Sequence, residues 1–144
     1  MDWQNNLVDG AAIPDLLRDV KRVAVLGIKT EKQSSAPAYY VAHYLQQAGL
    51  QVVPVPVYFP DVTEIMGERV YRKLADIPGE IDLVDVFRRP EDLEAHVPDI
   101  LLKKPRAVWM QLGIRHAGVA ETLARAGIQV VQDHCLMVEH RKLR

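Results

Sequence analysis

The sequence predicts a doubly wound α/β sheet of about five mainly parallel strands in a single domain spanning 1–144, and three observations carry that reading. The continuous apolar run 23–26 (VAVL) fits a parallel strand covered on both faces. Segments of helical and strand periodicity alternate along the whole chain, and the main strands are separated by the dozen or more residues that parallel crossovers need. The length, 144 residues, suits one domain that buries its own core.

The elements follow in order. Ile13, Leu16, Leu17 and Val20 fall at helical spacing with Pro14 in the first turn, giving a lead-in helix over 13–20. Strand one, 23–26, ends at Gly27, and the next helix starts within 35–37, where serine hydroxyls are expected to cap it. In that helix Val41, Tyr44, Leu45 and Ala48 share a face, and Gly49 ends it. The second strand, from Leu50, should end within 53–55 because Pro54 and Pro56 cannot donate ladder hydrogen bonds. Asp61 is read as the cap of a short helix through Met66, with Gly67 breaking it and a small edge strand at Val70 and Tyr71. Strand three is 81–87, and Pro90 opens a helix that must kink or restart at Pro98. Strand four is 107–112, a helix covers 118–126, strand five is 128–132, and a last helix runs over 135–143.

Composition narrows the function. Lys and Arg number 18 against 19 Asp and Glu, so no global field favours nucleic acid or an anionic membrane. The single cysteine, Cys135, excludes an internal disulfide and fits a reducing compartment. No cationic leader or membrane-length apolar window is present, so the expected location is the cytoplasm. The sequence leaves open a homo-oligomer or an unknown protein partner.

In doubly wound sheets ligands bind beyond the carboxyl ends of the strands, which singles out the loops 27–35, 54–59, 87–90 and 111–118. The first is the most informative. A strand, a glycine turn and a helix N-terminus converge free amides and a dipole on one point, which suits an anion, and Lys29 and Lys32 add full charges. On spacing alone a plain structural turn explains the same residues equally well. A dinucleotide is disfavoured twice. The turn has one glycine where the three-glycine fingerprint needs three, and the end of strand two, VVPVPVY, has no acidic residue for a ribose.

The motifs VAVLG, the proline-valine end of strand two, IMG followed by a tyrosine, DIP, VDVFR, VWMQLGI and a cysteine after an aspartate form a pattern across nearly the whole chain. It resembles the small stand-alone CoA-binding domain proteins, which are similar to the N-terminal CoA-binding domain of the succinyl-CoA synthetase α subunit. The resemblance implies a Rossmann-like fold whose ligand is CoA or an acyl-CoA. It puts the phosphates on Gly27, Ile28, Lys29 and Thr30, with Ser34 and Ser35 at the helix start. Val55, Pro56 and Val57, with Phe87, Arg88 and Arg89, would flank the nucleotide, and Gln111, Leu112 and Gly113 would line the far end. Ala36-Pro37 replaces the family's Arg-Pro, Pro56-Val57 replaces its Asn-Pro, and Asp133-His134-Cys135 replaces its Asp-Arg-Cys.

Other residues are weighed against simpler duties. Arg88 is favoured slightly as a phosphate cation over solvated surface. Asp85, a carboxylate in a buried strand, is expected to tie that strand to loop backbone N–H groups. Cys135 near a helix start is read first as a packing residue, with thiol reactivity second. The five histidines show no ligand spacing, so no metal is expected, and His116 is read as an exposed loop residue. Tyr39, Tyr40 and Tyr44 are assigned to core and rim. The leading expectation is therefore CoA binding without catalysis. The alternatives are a small CoA-dependent transferase or thiol-reactive enzyme using Cys135, and a nucleotide-binding redox or interaction module.

Overall fold

A computed structural model describes residues 2–143. Five parallel strands form the central sheet: β1 (Arg22–Leu26), β2 (Gln51–Val55), β5 (Leu83–Val86), β6 (Ala107–Met110) and β7 (Gln129–Val131), in the order β2-β1-β5-β6-β7. A separate antiparallel pair, β3 (Glu64–Ile65) and β4 (Glu68–Arg69), sits between β2 and β5 in the chain. The helices are α1 (Ile13–Arg18), α2 (Pro37–Gln47), α3 (Val97–Lys103), α4 (Ala117–Arg125) and α5 (Leu136–Arg141). The architecture is a Rossmann-like α/β sheet.

Strand periodicity sorts the core into two layers. Val23 and Val25 of β1, Val52, Leu83, Trp109 and Val131 pack with α1, α2 and α5. Their chain neighbours Ala24, Leu26, Val53, Val84, Val108 and Val130 pack with α3 and α4 on the opposite face. Trp109 is wholly buried, and its indole N–H donates to the His134 carbonyl at 2.8 Å, so its polar atom is not stranded. Order reverses between β1 and β5, since the chain leaves β1 for β2 on one side and returns to β5 on the other. That switch point is where a doubly wound sheet opens a crevice.

Three expectations change. The helix read from Asp61 to Met66 is instead the β3–β4 hairpin, and Val70 and Tyr71 lie beyond it. Met66 and Gly67 both take positive φ, 55° and 76°, the backbone a two-residue hairpin turn requires. The wholly buried Ile65 and a bond from the Met66 amide to Glu31 Oε2, 2.7 Å, dock that hairpin on the first loop. The second change concerns α2, which has Ala36 as its N-cap with no side-chain bond, while Ser34 and Ser35 are exposed. Pro37 sets the start, and side-chain capping occurs upstream, where Thr30 and Gln33 form a capping box around the 3₁₀ turn Glu31–Gln33. The third is the segment after Pro90. It makes two 3₁₀ turns, Pro90–Asp92 and Glu94–His96, before α3 restarts with Pro98 in its first turn.

Candidate functional site

A cleft of about 510 Å³ lies over the carboxyl ends of β1, β5 and β6, at the switch point. Gly27 creates its floor. Its φ is +87°, and a Cβ there would stand 2.3 Å from the Phe87 carbonyl oxygen, so the loops after β1 and β5 touch only because residue 27 has no side chain.

Ten of the predicted positions reach the cleft wall. Gly27, Ile28 and Lys29 enter from the first loop, Val57 follows β2, Phe87, Arg88 and Arg89 follow β5, and Gln111, Leu112 and Gly113 follow β6. The other six do not line it. Thr30 is buried in its capping box, Lys32, Ser34 and Ser35 are exposed outside the wall, and Val55 and Pro56 belong to the buried end of β2.

The first loop is more self-satisfied than free amides around an anion would be. The Gly27 amide donates to the Val55 carbonyl at 2.8 Å, Lys29 to Ala38 at 3.1 Å and Thr30 to Gln33 Oε1 at 3.0 Å. The Ile28 amide makes no such bond, and Ala38 holds one of the orphan amides that an uncapped first turn leaves. Lys29 is exposed and lines the same cleft, with no carboxylate within ion-pair distance among the described residues.

Across the cleft, Arg88 is held from three directions. Its Nε donates to His96 Nε2 at 3.1 Å, its guanidinium lies 5.6 Å from the Tyr58 ring centroid, and it stands 3.7 Å from Asp92 Oδ2. Burial first, and the Arg88 charge second, hold the half-buried His96 below the usual imidazole range, which keeps its Nε2 free to accept. Arg89 is exposed and donates to Asp92 at 2.9 Å; that bond and charge hold Asp92 below the usual carboxylate range.

The inner end is built differently. Asp85 does not bind loop amides as expected. Its Oδ1 accepts from Gln111 Nε2 at 2.6 Å and its Oδ2 has no partner. Complete burial pushes its carboxyl up to about 7, partly countered by the Gln111 bond. Gln111 Oε1 in turn accepts from the Leu136 amide at 3.4 Å, at the start of α5. Cys135, the N-cap of α5, is half-buried: it packs against the core, as expected, and also lines the cleft wall. Asp133 Oδ1 accepts from the Gly113 amide at 2.7 Å and so joins the loops after β6 and β7.

Some wall residues were not chosen individually by the sequence reading, although Tyr58 and Ile114 lie in the loops 54–59 and 111–118 that it named and Tyr40 was assigned to core and rim. Tyr58, Tyr40 and Ile114 line the cleft, and Ala36-Pro37-Ala38 supply its helix edge. Tyr58 directly follows the predicted Val57, which was the available signal. His116 is not an idle loop residue. Its Nδ1 accepts from the Val119 amide at 3.0 Å and caps α4, and its Nε2 faces Glu94 at 3.5 Å. Among the described residues no group of three or more histidine, cysteine or acidic side chains could hold a metal ion, and no helix is long and apolar enough to cross a membrane.

This chain is similar to known proteins along most of its length. It is 31% identical over 130 residues to the uncharacterized protein YneT of Bacillus subtilis (strain 168), covering 90% of this chain and 93% of that one. The solved structure of cell-free ID.343 from Thermus thermophilus is similar with a TM-score of 0.83 and 39% identity, covering all of both chains. A hypothetical protein from Pyrococcus horikoshii OT3 is similar with a TM-score of 0.82 and 28% identity, covering 96% of this chain and 94% of that one. The model of the CoA binding domain matches residues 21–141, which hold the whole sheet and every wall of the cleft. The chain belongs to the CoA binding domain family.

Proposed function

We propose that the cleft binds CoA or an acyl-CoA and performs no chemistry of its own. The observation that carries this reading is the pairing of an uncompensated cation, Lys29, and the orphan amides of Ile28 and Ala38 with a long, mainly apolar cleft. The charged corner suits a diphosphate, and the apolar walls suit an extended neutral arm. Arg88 and Tyr58 would meet the nucleotide, with Tyr58 offering an exposed aromatic ring and Arg88 a charge fixed on the cleft wall. Gln111, Leu112 and Gly113 would receive the pantetheine end. Family membership supports the ligand class, and the residue assignments are ours.

Calorimetric titration with CoA, acetyl-CoA, NADPH and ATP tests it. Saturable heat with the two CoA species is expected. Absence of heat with CoA at millimolar ligand ends the reading, and a preference for NADPH turns it toward the nucleotide-binding module.

A second reading is favoured by the position of Cys135 on the cleft wall. Its thiolate would attack CoA disulfide, form a mixed disulfide and release one CoA thiolate. Mass spectrometry after incubation with CoA disulfide shows an adduct on Cys135 if this is so and an unmodified chain if the cleft is inert.

A further inference from the structure

The inner end of the cleft holds a polar pair that the anion seat does not use. Asp85 is fully buried and Gln111 is 4% exposed, and of the two only Gln111 reaches the cleft wall. A primary amide carries two N–H donors and an oxygen with two lone pairs. The bonds to Asp85 Oδ1 and from the Leu136 amide therefore leave Gln111 one N–H and one lone pair uncommitted. Its orientation is set by the Leu136 backbone N–H, which only donates and so faces the amide oxygen, leaving the amide nitrogen to donate to Asp85 Oδ1. The arrangement is costly for a packing element: Asp85 Oδ2 is buried without a partner, where an apolar pair of similar size would serve the core at least as well. The neighbouring walls, Phe87, Pro90, Leu112 and Ile114, offer no side-chain hydrogen bond.

We infer that Gln111, held in orientation by Asp85 as a positioning residue, is the hydrogen-bond anchor for a secondary amide in the ligand's arm, so that the cleft selects amide-bearing thiol chains over bare nucleotides. The inference rests on the reading of the cleft as a CoA site. A secondary amide entering apolar surroundings loses water from its N–H and its carbonyl, which point to opposite sides of the trans amide, and Gln111 restores one of the two bonds, its uncommitted N–H donating to the carbonyl or its lone pair accepting from the N–H. Asp85 acts through Gln111 and touches no ligand. Without the carboxylate only the 3.4 Å bond from the Leu136 amide opposes an end-for-end rotation of the side-chain amide, which would present the wrong atoms.

The test is calorimetric titration of CoA and of ADP, which lacks the arm, against wild type, Asp85→Asn, Asp85→Leu and the double variant Asp85→Leu/Gln111→Leu. Asp85→Leu removes the acceptor and should weaken CoA about tenfold while ADP stays within about twofold. Asp85→Asn keeps an acceptor oxygen and should retain most of the CoA affinity. The double variant removes the whole pair without stranding either member, so its fold stays measurable, and it should lose the same CoA increment. CoA and ADP weakened alike, or CoA unchanged in the double variant, overturns the anchor while leaving the CoA site standing. Wild type that takes up neither ligand overturns both.

Discussion

The two ends of the cleft solve the same problem in opposite ways. At the mouth, the loop after β1 satisfies part of its polar groups with nearby partners, Thr30 with Gln33 and Lys29 with Ala38, beside the tertiary bonds of Gly27 to Val55 and of the Met66 amide to Glu31. At the inner end, Asp85 and Gln111 find each other across 26 residues on adjacent strands, and one carboxylate oxygen is left bare. The mouth is therefore exposed, charged and built in part on a local capping box, and the inner end is buried and wholly tertiary in origin. Recognition of charge can be placed on a loop whose geometry is set nearby. Recognition of a neutral arm needs a polar atom carried into the core, and that carries a stability cost.

The mouth breaks most completely at Gly27. Gly27→Ala places a Cβ 2.3 Å from the Phe87 carbonyl at φ +87°, where both backbone strain and clash oppose the fold. A loss on the order of 3–5 kcal/mol, or failure to fold, is expected in a denaturant melt. A wild-type midpoint in that variant would show that the two loops separate freely, and the floor of the cleft would not be rigid.

At the inner end the comparison is sharpened by pH. The Asp85 carboxyl stands at about 7 in the folded chain against 3.8 in an unfolded one, so between those values the folded state holds a proton that the unfolded state has lost. Stability therefore falls as pH rises through about 4 to 7 and levels off above, with a full span on the order of 4 kcal/mol. His96, held below its usual range, acts in the opposite sense and withdraws stability as pH drops below the imidazole range. The difference between wild type and Asp85→Asn cancels the His96 contribution. Urea melts from pH 4 to 8 should show that difference moving in the variant's favour as pH rises, and parallel curves would exclude a proton on Asp85 in this range.

The ligand side of the mouth gives a smaller effect. Lys29→Gln removes an exposed cation from the cleft wall, and CoA affinity should fall roughly tenfold at low salt, less at high salt, without a shift in melting temperature. Equal loss at both salt concentrations would mean that the ammonium acts by packing.

Much of this was legible from the chain. The run 23–26, the lone Gly27 and the alternation of periods yield the sheet, because strand patterning depends on residues two apart and helix patterning on residues three or four apart. The hairpin at Glu64–Arg69 was not legible, since positive φ at Met66 is enforced by docking against Glu31 rather than by its own type. Asp85 was seen as anomalous, yet its partner was misjudged, because register across β5 and β6 brings Gln111 to it and no local pattern encodes that. Arg88 was chosen for its charge and for its place in the VDVFR motif. Its stacking on Tyr58 depends on the path of the loop after β2, and its bond to His96 on the 3₁₀ turn Glu94–His96.

Thr30→Ala tests whether the mouth is as local as this contrast requires. The sequence Thr30-Glu31-Lys32-Gln33 carries the capping-box pattern, and in the structure Thr30 Oγ1 accepts from the Lys32 amide at 3.3 Å while the Thr30 amide donates to Gln33 Oε1. Removing the hydroxyl should cost about 1 kcal/mol, the ordinary value of a cap. Hydrogen exchange should quicken at Lys32 and Gln33 and stay unchanged at Gln111 and Leu136, because among the described residues no side-chain hydrogen bond joins the Thr30–Gln33 box to the Asp85–Gln111 pair. If protection at Leu136 fell with it, the ends of the cleft would be one cooperative unit, and a ligand's charge and its arm would be read together rather than separately.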